Sequence, residues 1–112
     1  MSQANAVPGW TTLYLRRHAP GLSDLTPAEQ ASVGAVLAKT AGAIEQSMPA
    51  ERVYMMLFAE NQQHVHIILA PRGPDVPPEH CSSRLHLNAR EYVDEDAFRE
   101  AADGIRSRLQ DA

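Results

Sequence analysis

Residues His64 to Arg72 read HVHIILAPR, and this stretch decides the fold because its side chains alternate in character. Successive side chains of a β-strand point to opposite faces, so residues two apart share a face. One face carries Val65, Ile67 and Leu69, and the other carries His64, His66 and Ile68. We predict that the odd-numbered face is the core face, that both histidines point away from the main core, and that Pro71 ends the strand.

Two further segments predict strands that belong to the same sheet. Arg52 to Ala59 (RVYMMLFA) is separated from Gln63 to Ala70 by three polar residues, a connection typical of an antiparallel hairpin. Trp10 to Arg17 (WTTLYLRR) is rich in β-branched, aromatic and aliphatic residues, and His18 follows it directly. The leucines of this strand share one face: Leu13 and Leu15.

Two helices complete the predicted architecture. Thr26 to Glu29 (TPAE) has the form of a capping box with proline at the first helical position, and an apolar stripe at helical spacing continues to Met48. Asp94 has the character of an N-cap before a second amphipathic helix over 94–110. The order strand, helix, hairpin, helix predicts an α+β fold, an antiparallel sheet with two helices on one face.

The chain of 112 residues has room for a single domain over 1–112. We expect residues 1–9 to be a loose leader and 72–92 to be a proline-containing loop used for binding or dimer contacts.

The net charge of −4 argues against a broad nucleic-acid surface, and no apolar run approaches the ~20 residues that span a bilayer. Cys81 is the only cysteine, so no internal disulfide can form, and we expect a cytoplasmic protein.

The two histidines of the motif, His64 and His66, are the candidate reactive residues. A neutral imidazole can act as a nucleophile, a general base or a metal ligand at neutral pH, and the spacing of His64 and His66 does not choose among these roles. Nine of the ten basic residues are arginines, whose guanidinium groups can bind phosphate in a bidentate geometry. A small phosphorylated ligand therefore fits the composition.

The stretch His64 to Arg72 resembles the signature of the histidine triad (HIT) superfamily, in which histidines alternate with apolar residues on a strand that commonly closes in Pro-Arg. The upstream segments, Pro8 to His18 and Asp24 to Glu29, resemble the strand, turn and first long helix of that superfamily. The resemblance covers roughly residues 8–78, and it is greatest to short bacterial members related to diadenosine tetraphosphate hydrolases.

The resemblance implies a hydrolase or transferase that acts on the α-phosphate of a nucleotide, such as a dinucleoside polyphosphate or nucleoside phosphoramidate. His66 would attack the phosphorus and form a nucleotidyl-histidine intermediate, with His64 as its neighbour and His18 near the site. Candidate phosphate-binding residues are Arg72, Arg17, Asn61, Gln62 and Gln63. No cofactor or bound metal is implied, and the partner is a nucleotide or another small phosphate ester.

Ile68 occupies the position of the third histidine, and it cannot donate a hydrogen bond to a leaving group. A catalytically degenerate HIT-like binding or assembly module is therefore an alternative to an enzyme. A second alternative is a zinc or copper site in which the loop histidines His80 and His86 join His64 and His66.

Family members pair through the long helix and an adjacent strand, so the resemblance implies a homodimer. Small side chains on the predicted helix would permit close contact, and aromatic and methionine side chains line one face of the following strand. The residues that suit such an interface are Ala35, Ala38, Ala41, Gly42, Ala43, Tyr54, Met56 and Phe58.

Overall fold

The structure is a computed structural model that describes residues 7–17, 19–57 and 65–110. Its strands are β1 (Thr11–Tyr14), β2 (Arg52–Met56) and β3 (His66–Arg72), and its helices are α1 (Pro27–Ser47), α2 (Ser83–Leu87) and α3 (Glu95–Gln110). Short 3-10 turns lie at Leu22–Asp24, Pro78–His80 and Ala89–Tyr92. The α+β class is confirmed, and α2 is a helix that the sequence patterns did not predict.

The three strands form one antiparallel sheet in the order β1-β3-β2, so the histidine-bearing strand is central. In the register between β1 and β3, Tyr14 lies opposite His66. In the register between β2 and β3, Arg52 lies opposite Arg72. The strand that carries the motif is therefore held along both edges, which fixes where each of its side chains points.

β3 continues through Pro71 to Arg72, so the expectation that Pro71 ends the strand is wrong. Pro71 pairs with Val53 of β2, whereas the pairing with β1 ends at Leu69. A proline lacks the N–H that a strand flanked on both sides must donate, and it is tolerated here where one neighbour has ended. Next to Pro71 lies Gly9 at a φ of +86°, where any side chain would collide with Met48 and Pro71.

The helix face of the sheet contains the predicted core. Leu69 and Ile44 have no exposed surface, and Ile67 and Ile105 are buried in the same cluster between the sheet and the two long helices. α1 begins at its predicted capping box, in which the Thr26 hydroxyl accepts a hydrogen bond from the Glu29 N–H at 3.2 Å. The odd-numbered face of the motif is therefore the core face, as predicted.

The opposite face of the sheet, called here the second face, is also covered over much of its area. Ile68 is 8% exposed and Ala70 1% exposed. The buried side chains that surround them are Val7, Trp10, Leu85 and Ala89. The prediction that this face lies outside the core is therefore wrong at Ile68, because residues from both ends of the chain fold over it.

The predictions for residues 1–9 and 72–92 are wrong in part, because both segments pack on the second face. Val7 is 3% exposed and belongs to the second-face cluster, so the predicted leader is packed from Val7 onward. The segment 72–92, expected to be a loop, contains α2 and two 3-10 turns and contributes Leu85 and Ala89 to this cluster.

α3 begins one residue after Asp94, whose carboxylate accepts a hydrogen bond from the Ala97 N–H at 3.1 Å.

Candidate functional site

His66 is the first residue of β3 and lies at the open end of the second face. Its imidazole stacks on the ring of Tyr14, with the ring centroids 5.9 Å apart and the planes 24° from parallel. His66 is half-buried, while Tyr14 is 58% exposed. The imidazole is thus held against a neighbouring strand at a position that remains open to solvent.

Ile68, two residues farther along the same face, lies in a different environment. Its neighbours are the apolar side chains of the second-face cluster. Met56 of β2, which is partly buried, packs against this cluster. The position of the third histidine in the motif is therefore a packed apolar position. The second face changes from a buried surface at Ile68 to an accessible one at His66.

Five of the predicted site residues lie outside the described part of the chain. These are His18, Asn61, Gln62, Gln63 and His64. Their roles therefore stay predictions.

Arg72 is described, and the structure does not bring it to His66. Both residues lie on β3 and share a face, but they are six positions apart. At a rise of about 3.3 Å per residue their Cα atoms are about 20 Å apart. The two side chains therefore belong to opposite ends of the second face.

Arg17 lies beyond the end of β1 and is engaged with the start of α1. Its Nη2 and Nε donate to the two carboxylate oxygens of Glu29 at 2.7 and 3.2 Å, and Nη2 also donates to the Asp24 carbonyl at 2.8 Å. These bonds from Arg17, together with the backbone N–H of Thr26, lower the pKa of Glu29 to about 2. Arg17 thus stabilises the helix start in this structure.

The other described histidines have separate environments. His80 Nδ1 lies 2.6 Å from the Tyr92 hydroxyl and 3.3 Å from a carboxylate oxygen of Glu91, and burial raises the pKa of Tyr92. The His86 ring lies against Trp10, with the ring centroids 5.7 Å apart. Within the described ranges, no three His, Cys, Asp or Glu side chains are arranged to hold a metal ion.

A second polar cluster lies near the far end of β3. The Tyr54 hydroxyl accepts a hydrogen bond from Arg72 Nε at 3.2 Å and another from the Ser82 N–H at 2.9 Å. Ser82 has a φ of +60°, the only positive φ of a residue other than glycine in the described part of the chain. A conformation of this kind costs of order 1–3 kcal/mol and persists because surrounding contacts hold it.

Tyr14 is the site residue that the sequence patterns did not identify. The alternation of β1 contained a partial signal, because Leu13 and Leu15 on one face place Tyr14 on the other. Its neighbour across the sheet could not be read from that pattern, since the register between β1 and β3 depends on pairing in the folded chain.

Comparison with known proteins supports the fold. No family model matches the chain, and no curated protein matches it by sequence. Among solved structures, the chain is similar to a Hit-like protein involved in cell-cycle regulation from Bartonella henselae, whose crystal structure contains an unknown ligand. The TM-score is 0.66 at 18% sequence identity, over 96% of this chain and 76% of that one.

The chain therefore has the fold of a Hit-like protein. This likeness supports the predicted fold, whereas the resemblance to diadenosine tetraphosphate hydrolases stays a prediction. In the described residues, no helix is long and apolar enough to cross a membrane.

Proposed function

We propose that this protein binds a nucleotide or related phosphate ester at the open end of the second face and transfers its nucleotidyl group through His66. The observation that carries the proposal is the position of His66 on the central strand of a Hit-like fold, half-buried and stacked on Tyr14. The substrate class that fits is a dinucleoside polyphosphate, as in the diadenosine tetraphosphate hydrolases that the motif resembles.

The proposed reaction has two steps. In the first, the lone pair of one His66 ring nitrogen attacks the α-phosphorus, a P–N bond forms, and the bond from phosphorus to the leaving group breaks with its electron pair. In the second, a water oxygen attacks the same phosphorus, the P–N bond breaks, and the water proton passes to solvent or to the released imidazole. The products are a nucleoside monophosphate and the leaving group.

Ile68 determines which leaving group suits this site. Isoleucine has no proton to donate, so a leaving group that must be protonated as it departs receives no help from this position. A phosphate leaving group can depart as an anion, whereas an amine leaving group needs a proton. The proposed site therefore favours phosphoanhydrides over phosphoramidates.

The test is turnover of a dinucleoside polyphosphate and of a fluorogenic adenosine phosphoramidate by wild type and His66→Ala. We expect His66→Ala to abolish turnover while its circular dichroism stays that of the wild type. His80→Gln is the matched control, because this imidazole contacts Tyr92 and Glu91, and we expect it to keep the activity. Equal hydrolysis by wild type and His66→Ala would overturn the assignment of the nucleophile.

A degenerate binding module is the second candidate, and the burial of Ile68 favours it. An apolar, packed residue at the third histidine position removes a hydrogen-bond donor from the site. This candidate predicts that the protein binds nucleotide, that Tyr14→Ala weakens binding, and that no substrate of either class turns over. Measured turnover that depends on His66 would exclude it.

A further inference from the structure

Two arginines face each other at the end of the sheet opposite to His66. Arg52 of β2 and Arg72 of β3 are Cα partners in the antiparallel register, so their side chains leave the same face of the sheet. Like charges directly opposite one another destabilise a strand pair. The net charge of the chain is −4, so an excess of basic residues does not account for this pair of facing arginines.

Neither guanidinium is neutralised by a carboxylate in the part of the chain that the structure describes. Arg52 Nη1 donates to the Glu51 backbone carbonyl at 2.8 Å, and Arg72 Nε donates to the Tyr54 hydroxyl at 3.2 Å. Other arginines of the protein do have acidic partners within 4.0 Å: Arg17, Arg99 and Arg106. Among the described residues, the hydrogen-bond partners of the Arg52 and Arg72 side chains are uncharged oxygens.

The Arg72 guanidinium is held in place through its Nε side. The Tyr54 hydroxyl that accepts from Nε is itself fixed by the Ser82 N–H at 2.9 Å, at the residue with positive φ. Arg72 is half-buried, whereas Arg52 is exposed. Within the described residues the Arg72 side chain bonds through Nε, and its two terminal nitrogens can donate to a ligand.

We propose that Arg52 and Arg72 bind a phosphate group. Each guanidinium presents a planar fork that matches two phosphate oxygens, and a phosphate dianion between the two forks replaces their repulsion with charge-assisted hydrogen bonds. The ligand is inorganic phosphate or the terminal group of a small phosphate monoester. This site is distinct from the proposed catalytic site, because the Cα atoms of Arg72 and His66 are about 20 Å apart.

The test is calorimetric titration of the full chain with sodium phosphate, at an ionic strength held constant with sodium chloride. We expect one saturable site in the wild type and an affinity weakened about tenfold or more in Arg72→Gln and in Arg52→Gln. Arg106→Gln is the matched control, because Arg106 pairs with Asp103 on α3, and it should bind as wild type does. His66→Ala should also bind as wild type does.

Glycerol phosphate in the same titration distinguishes the two sources of the ligand. Tighter binding than inorganic phosphate identifies a monoester, and weaker binding identifies free phosphate. Arg52 is exposed, and its side chain donates to the neighbouring Glu51 carbonyl, so Arg52→Gln tests the site even if Arg72→Gln fails to fold.

Three results would overturn the proposal. The first is the absence of saturable binding to the wild type. The second is wild-type affinity in a folded Arg52→Gln variant. The third is loss of binding in His66→Ala with retention in Arg52→Gln, which would assign the phosphate to the proposed catalytic site and leave the proposed function standing.

Discussion

Tyr14 and His66 face each other across the β1–β3 pair, and their rings are stacked with centroids 5.9 Å apart. The stack restricts rotation of the imidazole, which would orient its ring nitrogens toward a ligand at the open end of the second face. Tyr14 itself is 58% exposed, so its contribution to the core is small. We infer that its ring positions His66 within the proposed site.

Replacement of Tyr14 by alanine should lower activity while leaving the protein folded. If the stack contributes about 0.5–1.5 kcal/mol to the orientation of the imidazole, its loss corresponds to a roughly two- to twelvefold loss in kcat/KM. The free energy of unfolding should fall by no more than about 1.5 kcal/mol, the contribution of the stack itself, because most of the side chain is already exposed. Steady-state kinetics and urea unfolding measure the two effects. Tyr14→Phe, which keeps the ring, should retain activity; if it loses as much as Tyr14→Ala, stacking is not the operative property.

Replacement of Ile68 by histidine should destabilise the fold. Ile68 is 8% exposed among apolar side chains, so an imidazole there loses water without gaining a defined partner. The expected cost is about 2–4 kcal/mol in the free energy of unfolding, measured by urea denaturation. Ile68→Val, which keeps the apolar character, should cost about 0.5–1.5 kcal/mol. An Ile68→His variant as stable as wild type would show that the second face accommodates a third histidine.

The Arg17–Glu29 pair should make stability depend on pH in the acid range. The pKa of Glu29 is about 2 in the folded chain, because Arg17 and the Thr26 N–H favour the carboxylate, against about 4.3 in an unfolded chain. A lowered folded pKa gives stability that is present above the unfolded pKa and is lost as the pH falls through the folded pKa. Thermal unfolding should therefore show a difference between wild type and Glu29→Gln that narrows from about pH 4.5 to about pH 2.

Glu100→Gln is the control for this titration, since Glu100 is an exposed residue of α3. We expect its stability difference from wild type to be small throughout this range. A Glu29→Gln difference that stays constant from pH 7 to pH 2 would contradict the role of the ion pair.

A homodimer stays a prediction, and its proposed interface residues differ in how exposed they are in the single subunit. Ala43 is 6% exposed and packs in the core of its own subunit, so it does not face a partner. Ala35 and Ala38 are exposed on α1, and Gly42 has open space beside it. Tyr54 and Met56 are partly buried against the second-face cluster of their own subunit, and Phe58 lies outside the described residues.

Light scattering at micromolar concentration should give twice the chain mass of 12.3 kDa. Ala38→Glu should give the monomer mass, because it places a charge where the helices would meet. Ala28→Glu adds the same charge in the exposed first turn of α1 and should remain dimeric. A wild-type mass near 12.3 kDa would exclude the dimer.

The sequence by itself determined the local features of this protein. The alternation in β3 predicted the odd-numbered core face, and Thr26 with Glu29 predicted the start of α1, because strand period and helix capping depend on residues close together in the chain. The position of His66 on a strand also followed from the motif, whereas its role as a nucleophile stays a prediction.

Only the tertiary structure decided how the second face is used. Val7 and Leu85 are 78 positions apart in the chain, yet both pack in the buried cluster that contains Ile68. Apolar burial is non-directional, so a pattern that marks a side chain as apolar does not say which distant segment packs on it. The same holds for the Tyr14–His66 stack and for the distance between His66 and Arg72, since strand register and strand length are set by pairing between segments.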